Sequence, residues 1–100
     1  MKAIADICII PIGADLSLSK YIAEFEKIFK ELNLNPNLHA YGTNVEGDID
    51  VIFEAIKKCH KKAHEMGIQR ISTNIRIGTR IDKHQTIDDK INSVISKLNK

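Results

Sequence analysis

Apolar residues recur along this chain at two different spacings, which together predict an alternation of strands and helices. Residues 3–12 are apolar at nearly every position, and such a run is typical of a central strand covered on both faces. Residues 68–80 alternate instead, with Ile71 and Ile77 on one face and Asn74 and Arg76 on the other. This alternation predicts a second long strand.

Three segments repeat their apolar residues every three or four positions, as one face of a helix does. They comprise residues 19–32, 50–66 and 87–98. We expect the hydroxyl of Ser17 or Ser19 to cap the first helix, and Thr86 with Asp89 to cap the third. Gly67 is a natural C-terminal stop for the second helix. Residues 13–15 are predicted to form the loop that precedes the first helix.

The segment from Tyr41 to Asp48 (Tyr-Gly-Thr-Asn-Val-Glu-Gly-Asp) concentrates turn-forming and polar residues as no other part of the chain does. Gly42 and Gly47 permit both a tight reversal and the close approach of a ligand. We predict a β-hairpin turn here, after a short strand over residues 37–41 and before a strand around residues 45–48. Its polar side chains either help to form a small-molecule site or are solvated, as in an ordinary turn.

The predicted order is strand, helix, strand, strand, helix, strand, with one further helix at the C-terminus. This order defines the ferredoxin-like βαββαβ arrangement, an α+β fold in which two helices cover one face of a four-stranded antiparallel sheet. One hundred residues are enough for one such domain, so we assign residues 1–100 to a single domain.

The sheet face away from the two helices is predicted to carry an apolar patch, because the first strand places Ile4, Cys8, Ile10 and Ile12 there. Burial of an aliphatic side chain contributes roughly 1.5–3 kcal/mol, so a patch of this kind usually marks an association surface. We expect sheets from different subunits to pack face to face in a homodimer or homotetramer. In the alternative, the C-terminal helix folds back over this face in a monomer.

The same face is predicted to carry a polar pair, Asp6 on the first strand and Arg76 on the fourth. These strands are neighbours in the ferredoxin-like topology, so the two side chains are expected to lie close enough to interact. Inside an interface such a pair must be well hydrogen-bonded to offset its desolvation. The pair is therefore better support for a specific polar site than for stability.

Composition and motifs argue against several classes of function. The net charge of +2, the scattered lysines and the lack of base-stacking aromatics on the central strands disfavour a nucleic acid partner. No apolar run is long enough to span a membrane, and no nucleophile–base set of an enzyme is recognisable. Cys8 and Cys59 fit a reducing compartment, which predicts a cytoplasmic protein. His60 and His64 have a spacing that can bind metal, but the lysines around them disfavour a divalent ion, and we predict no metal site.

Three stretches of the chain together resemble a known family, the small YkoF-like thiamine-binding proteins. They are Ile10-Pro11-Ile12-Gly13, the segment from Tyr41 to Gly47, and the fourth strand from Arg70 to Ile77 with Arg80. The resemblance covers nearly the whole chain in length and element order. Its most specific part is the Gly-Thr-x-x-Glu-Gly core at residues 42–47.

The resemblance implies a ferredoxin-like fold, assembly into homodimers or homotetramers, and binding of thiamine or its hydroxymethylpyrimidine part without catalysis. The vitamin would then be a ligand and no cofactor would be needed. The resemblance assigns ligand binding to Thr43, Glu46 and Gly47, with Asn74 and Arg76 on the fourth strand as further lining residues. A carboxylate such as Glu46 accepts a hydrogen bond from an aminopyrimidine. The alternative is a regulatory or scaffold protein that uses the same sheet face for protein contacts and binds no vitamin.

Overall fold

The chain folds into four strands and three helices in the predicted order. The structure, a computed structural model, describes residues 1–14 and 17–99, so Asp15 of the predicted loop lies outside the described residues. The elements are β1 (Lys2–Ile12), α1 (Ser19–Glu31), β2 (Asn37–His39), β3 (Gly42–Asp48), α2 (Ile49–Glu65), β4 (Arg70–Thr79) and α3 (Ile87–Leu98). The strands form one antiparallel sheet in the order β2-β3-β1-β4. The predicted ferredoxin-like α+β fold is confirmed.

Helices α1 and α2 cover one face of this sheet, which we call the helix face, and the opposite face is called the open face. Alternate residues of β1 point to the helix face, and Ala5 and Ile7 are almost fully buried there. Three large side chains of α1 and the inner stripe of α2 pack onto these strand residues. The main helical contributors to this core are Tyr21, Phe25, Phe29, Ile52, Ala55, Cys59 and Ala63.

Of the two predicted helix caps, that of α3 agrees with the structure and that of α1 is wrong. Asp48 caps α2 by accepting a hydrogen bond from the backbone of Asp50 at 3.0 Å. Thr86 and Asp89 form a reciprocal capping box at the start of α3. The predicted serine cap of α1 is absent, because the N-cap residue is Leu18 and the hydroxyls of Ser17 and Ser19 instead hydrogen-bond each other at 3.0 Å.

The predicted turn over residues 41–48 is largely a strand. The chain reverses at residues 40 and 41, and β3 begins directly after them at Gly42. The two glycines serve close packing within this strand. A Cβ atom on Gly42 would lie 2.7 Å from the carbonyl oxygen of Ile7, and one on Gly47 would lie 2.7 Å from Cδ2 of Leu34. Gly47 also has a φ of +155°, which side-chain-bearing residues rarely adopt.

The open face carries the predicted apolar patch. Ile4 and Cys8 are half-buried, while Ile10 and Ile12 remain 37% and 41% exposed. Helix α3 begins over the other end of this face, where Ile87 is buried, but its later apolar side chains are exposed. The alternative in which the C-terminal helix folds back over this face is therefore met only at one end of the face, by the start of α3. Among the helices described, none combines the length and the apolar character needed to cross a membrane.

Candidate functional site

Two cavities flank the sheet, one on each side. The inner pocket lies between α1 and the β2–β3 hairpin and has a volume of about 220 Å³. The outer cleft lies over the open face beside the start of α3 and has a volume of about 580 Å³. They differ in chemistry as well as in place, because the inner pocket is mainly apolar and the outer cleft is lined by many charged side chains.

The inner pocket has aromatic and aliphatic walls. Helix α1 supplies Ile22, Phe25 and Phe29, and the hairpin supplies Leu38 and Tyr41. Tyr41 stands at the hairpin turn and is highly exposed, so it lies at the mouth of the pocket, whereas Phe25 and Phe29 are buried. Flat apolar walls with a few convergent polar groups are the usual composition of a small-molecule site.

Two polar side chains meet in the inner pocket, Glu26 of α1 and Thr43 of β3. The Thr43 hydroxyl donates a hydrogen bond to Oε2 of Glu26 at 2.9 Å, and Thr43 is only 4% exposed. Burial raises the pKa of the Glu26 carboxyl above its ordinary value, although the hydrogen bond from Thr43 and the charge of Lys30 oppose that shift. The pocket thus contains a partly desolvated carboxylate among apolar side chains.

A second polar contact involves Asp6, which lines the outer cleft, and corrects its predicted pairing. Asp6 is directly opposite Arg76 in the β1–β4 register, as expected, but its carboxylate contacts Nε2 of His39 at 2.6 Å. The backbone N–H of Tyr41 donates to Nδ1 of the same ring at 3.2 Å, so Nε2 carries the proton that is donated to Asp6. His39 reaches Asp6 across β3 because Gly42 has no side chain there.

The outer cleft is anchored by Glu46. Its Oε1 accepts a hydrogen bond from Nδ2 of Asn35 at 3.0 Å, and its Oε2 accepts one from the backbone N–H of Ile87 at 2.7 Å. The second bond satisfies a free N–H group of the first turn of α3 and places a negative charge at the positive end of that helix. Glu46 therefore fixes the start of α3 on the open face.

Basic side chains surround the rest of the outer cleft. Arg76 lines it from β4, and Lys83 and Lys90 line it from the segment that includes the start of α3. Arg80 is held by Asp82, with a bidentate contact at 2.6 and 2.9 Å, so its charge is already neutralised locally. The cleft is wide and its charges are largely exposed.

The five residues predicted to bind ligand do not lie at one place. Thr43 faces the inner pocket, and Gly47 is on the helix side of β3, where its Cα approaches Leu34. Glu46 and Arg76 line the outer cleft. Asn74 lies on the same open face, opposite Cys8, toward the end that α3 leaves uncovered. Residues close together in the motif are thus separated because successive residues of a strand point to opposite faces.

Two polar residues of the inner pocket, Glu26 and His39, were not predicted from the sequence to be site residues. Glu26 follows Ile22 by four positions and adjoins Phe25, which places it on the flank of the buried stripe of α1. A carboxylate at the edge of an apolar stripe is the signal by which it could have been found. The contact of His39 depends on a hairpin register that the sequence does not specify.

His60 and His64 each bond to a protein atom. Nε2 of His60 is 2.6 Å from the hydroxyl of Thr73, and Nδ1 of His64 is 2.7 Å from the carbonyl oxygen of Ile68. Within residues 1–14 and 17–99 no group of three or more His, Cys, Asp or Glu side chains is arranged to hold a metal ion.

Comparison with known proteins gives the family. The family described as thiamine-binding protein matches residues 5–95. This chain belongs to the thiamine-binding protein family. Family relatives include a UPF0045 protein of Synechocystis, 45% identical over 94 residues that span 94% of this chain and 78% of the relative. The UPF0045 protein YqgV of Bacillus subtilis is 39% identical over 101 residues, which span 96% of this chain and 97% of the relative. The predicted membership is confirmed.

Solved structures share the fold. A protein of Methanocaldococcus jannaschii superposes with a TM-score of 0.85 at 34% identity, covering 93% of this chain and 95% of its own. A Thermotoga maritima protein assigned provisionally to thiamine biosynthesis or salvage has a TM-score of 0.79 at 18% identity, covering 94% and 99% of the two chains. At that identity the second likeness shows the fold alone.

Proposed function

We propose that this chain is a non-catalytic binding protein for thiamine or its hydroxymethylpyrimidine part, and that it works as a homo-oligomer in the cytoplasm. The observation that carries the proposal is the inner pocket, in which apolar and aromatic walls enclose a carboxylate and a hydroxyl, in a member of the thiamine-binding protein family. Such a pocket suits a flat, weakly polar ring that carries an amino group.

The size of the inner pocket favours the pyrimidine end of the vitamin. Its volume of about 220 Å³ is below the range of roughly 300–1,000 Å³ that is usual for drug-sized ligands. A substituted pyrimidine would fill it, and the remainder of thiamine would extend toward the mouth. There the ring of Tyr41 offers a π face to the cationic thiazolium.

The chemistry of the nearest buried thiol supports binding without catalysis. Burial, followed by the charge of Glu26, raises the pKa of the Cys59 thiol to about 12, so the nucleophilic thiolate is strongly disfavoured. Cys59 lies on the buried face of α2 and fills the core as a small apolar residue.

Association of subunits is proposed to occur through the open face. Ile10 and Ile12 are exposed there beside the half-buried Ile4 and Cys8, and the outer stripe of α3 is also apolar and exposed. A second copy of the chain would bury both surfaces in a symmetric contact. Asn74 and Arg76 would then lie at the polar rim of that contact.

Titration calorimetry with three ligands tests the proposed function. Thiamine and hydroxymethylpyrimidine are expected to give binding heat, whereas the isolated hydroxyethylthiazole is expected to bind much more weakly. No heat with either pyrimidine-bearing ligand at millimolar concentration would overturn the proposal and leave the scaffold alternative.

Two variants distinguish the inner pocket from the outer cleft. Thr43→Val is expected to weaken binding, because it removes the hydroxyl of the inner pocket while preserving the shape of a buried side chain. Glu46→Gln changes the outer cleft and is expected to leave the affinity unchanged. The opposite pattern would move the ligand to the outer cleft, where the predicted residues Glu46 and Arg76 lie.

A further inference from the structure

The position of Glu26 is costly for a residue that serves packing alone. Its carboxylate lies where α1, α2 and β3 converge, since it bonds to Thr43 of β3 and its charge is felt by Cys59 of α2. A carboxylate taken partly out of water loses hydration that one hydrogen bond from a hydroxyl does not fully replace. An apolar residue would fill the same space without that cost.

The hydrogen-bonding capacity of Glu26 is only partly used. An ionised carboxylate offers about four acceptor positions on its two oxygens. In the described part of the chain, Glu26 accepts one hydrogen bond, from Thr43 to Oε2. Oε1 is therefore the acceptor available to a ligand in the inner pocket, with the Thr43 hydroxyl beside it to hold the carboxylate in one orientation.

We propose that Glu26, oriented by Thr43, is the residue through which the inner pocket selects aminopyrimidines over oxopyrimidines. This inference rests on the proposed function and names the recognition residue of the same site. The exocyclic amino group of the ligand donates to Oε1, and protonation of the aminopyrimidine ring strengthens the contact by charge. An oxo group at that position presents an acceptor to an acceptor, so the pocket rejects it.

The lining of the inner pocket offers no competing partner of the same kind. Apart from Glu26, its ionisable side chains within the described residues are Cys8, His39 and Tyr41. His39 lies at the mouth and is already bonded to Asp6, and Tyr41 is largely in solvent. Specificity inside the pocket therefore depends on one carboxylate and one hydroxyl.

The test compares two ligands on three proteins by titration calorimetry. The ligands are 4-amino-5-hydroxymethyl-2-methylpyrimidine and its 4-oxo analogue, and the proteins are the wild type, Glu26→Gln and the control Glu24→Gln. Glu24 lies on the same helix and pairs with Lys27 at 3.1 Å, outside the inner pocket. The control removes the same charge from α1 without changing the pocket.

The wild type is expected to prefer the amino ligand by roughly 10–150-fold, the effect of one hydrogen bond to a charged group. Glu26→Gln is expected to lose most of that preference, and Glu24→Gln to retain it. Equal affinity of wild type and Glu26→Gln for the amino ligand would overturn the inference while leaving the proposed function intact. Binding of neither ligand by the wild type would overturn both. A structural role for Glu26 would change stability but not the ratio of the two affinities.

Discussion

If the chain associates through its open face as proposed, replacing Ile10 and Ile12 together by lysine is expected to dissociate the proposed homo-oligomer without unfolding the subunit. Both side chains lie on the open face of β1 and are 37% and 41% exposed in the isolated subunit. A lysine at either position can cover the same strand with its stem and place its ammonium group in water. In the oligomer, the same groups would be forced into an apolar contact or against their symmetry mates.

The size of the effect follows from the fraction of each isoleucine side chain that is exposed in the subunit and would be buried by association. Full burial of an isoleucine contributes about 1.5–3 kcal/mol, so burying the exposed fractions of 37% and 41% contributes roughly 0.6–1.2 kcal/mol at each position. Each position occurs twice in a two-fold contact, which gives about 2–5 kcal/mol for the double variant. This corresponds to a dimer dissociation constant raised roughly 30–4,000-fold.

Sedimentation velocity over a dilution series measures that constant directly. The matched control is Phe53→Lys, because Phe53 is 42% exposed but lies on α2, on the other side of the sheet. The control is expected to associate as the wild type does. A wild type that is monomeric at every concentration, or a double variant that associates as tightly as the wild type, would refute the reasoning.

Three further predictions concern stability. Because burial raises the pKa of Glu26, this residue binds more protons in the folded chain than in the unfolded chain between the ordinary value of 4.5 and the higher folded value. The contribution of Glu26 to stability is therefore greatest below this window and falls as the pH rises through it. Urea unfolding at several pH values should show this fall in the wild type and not in Glu26→Gln, and an identical pH profile in both would contradict it. Gly42→Ala should lower the free energy of unfolding by about 1–3 kcal/mol, since its Cβ meets the Ile7 carbonyl. Gly78→Ala has open space around the new atom, so it should leave the free energy of unfolding nearly unchanged in the same assay. Thr86→Ala should weaken α3 by about 1 kcal/mol through loss of its cap, which hydrogen exchange would detect as roughly fivefold less protection of the first turn; unchanged protection would exclude the capping role.

The fold was predictable because the spacing of apolar residues and the residues that end helices and strands agree along most of the sequence. The double-sided apolar run of β1, the alternation of β4 and the stop at Gly67 each indicate one structure, and the positive φ of +99° at Gly67 shows why glycine ends α2. The prediction of a turn at residues 42–48, which form a strand, failed for a physical reason. Glycines there relieve contacts between neighbouring parts of the fold, which only the tertiary structure reveals.

The candidate site was predictable only in part. The motif at residues 42–47 lies within the segment that matches the family, but residues adjacent in a strand alternate between the two faces of the sheet. Thr43 and Glu46 are therefore on opposite sides of β3. Glu26 comes from a helix distant in sequence, and its approach to Thr43 depends on how α1 packs on the sheet.

Locating the bound ligand tests the account most directly. A ¹⁵N-labelled sample titrated with hydroxymethylpyrimidine reports each backbone amide separately by NMR. The inner-pocket account predicts that the amides of Glu26, Thr43 and Tyr41 shift in a saturable way while those of Glu46 and Arg76 stay in place. Shifts confined to Glu46 and Arg76, or none at millimolar ligand, would contradict it.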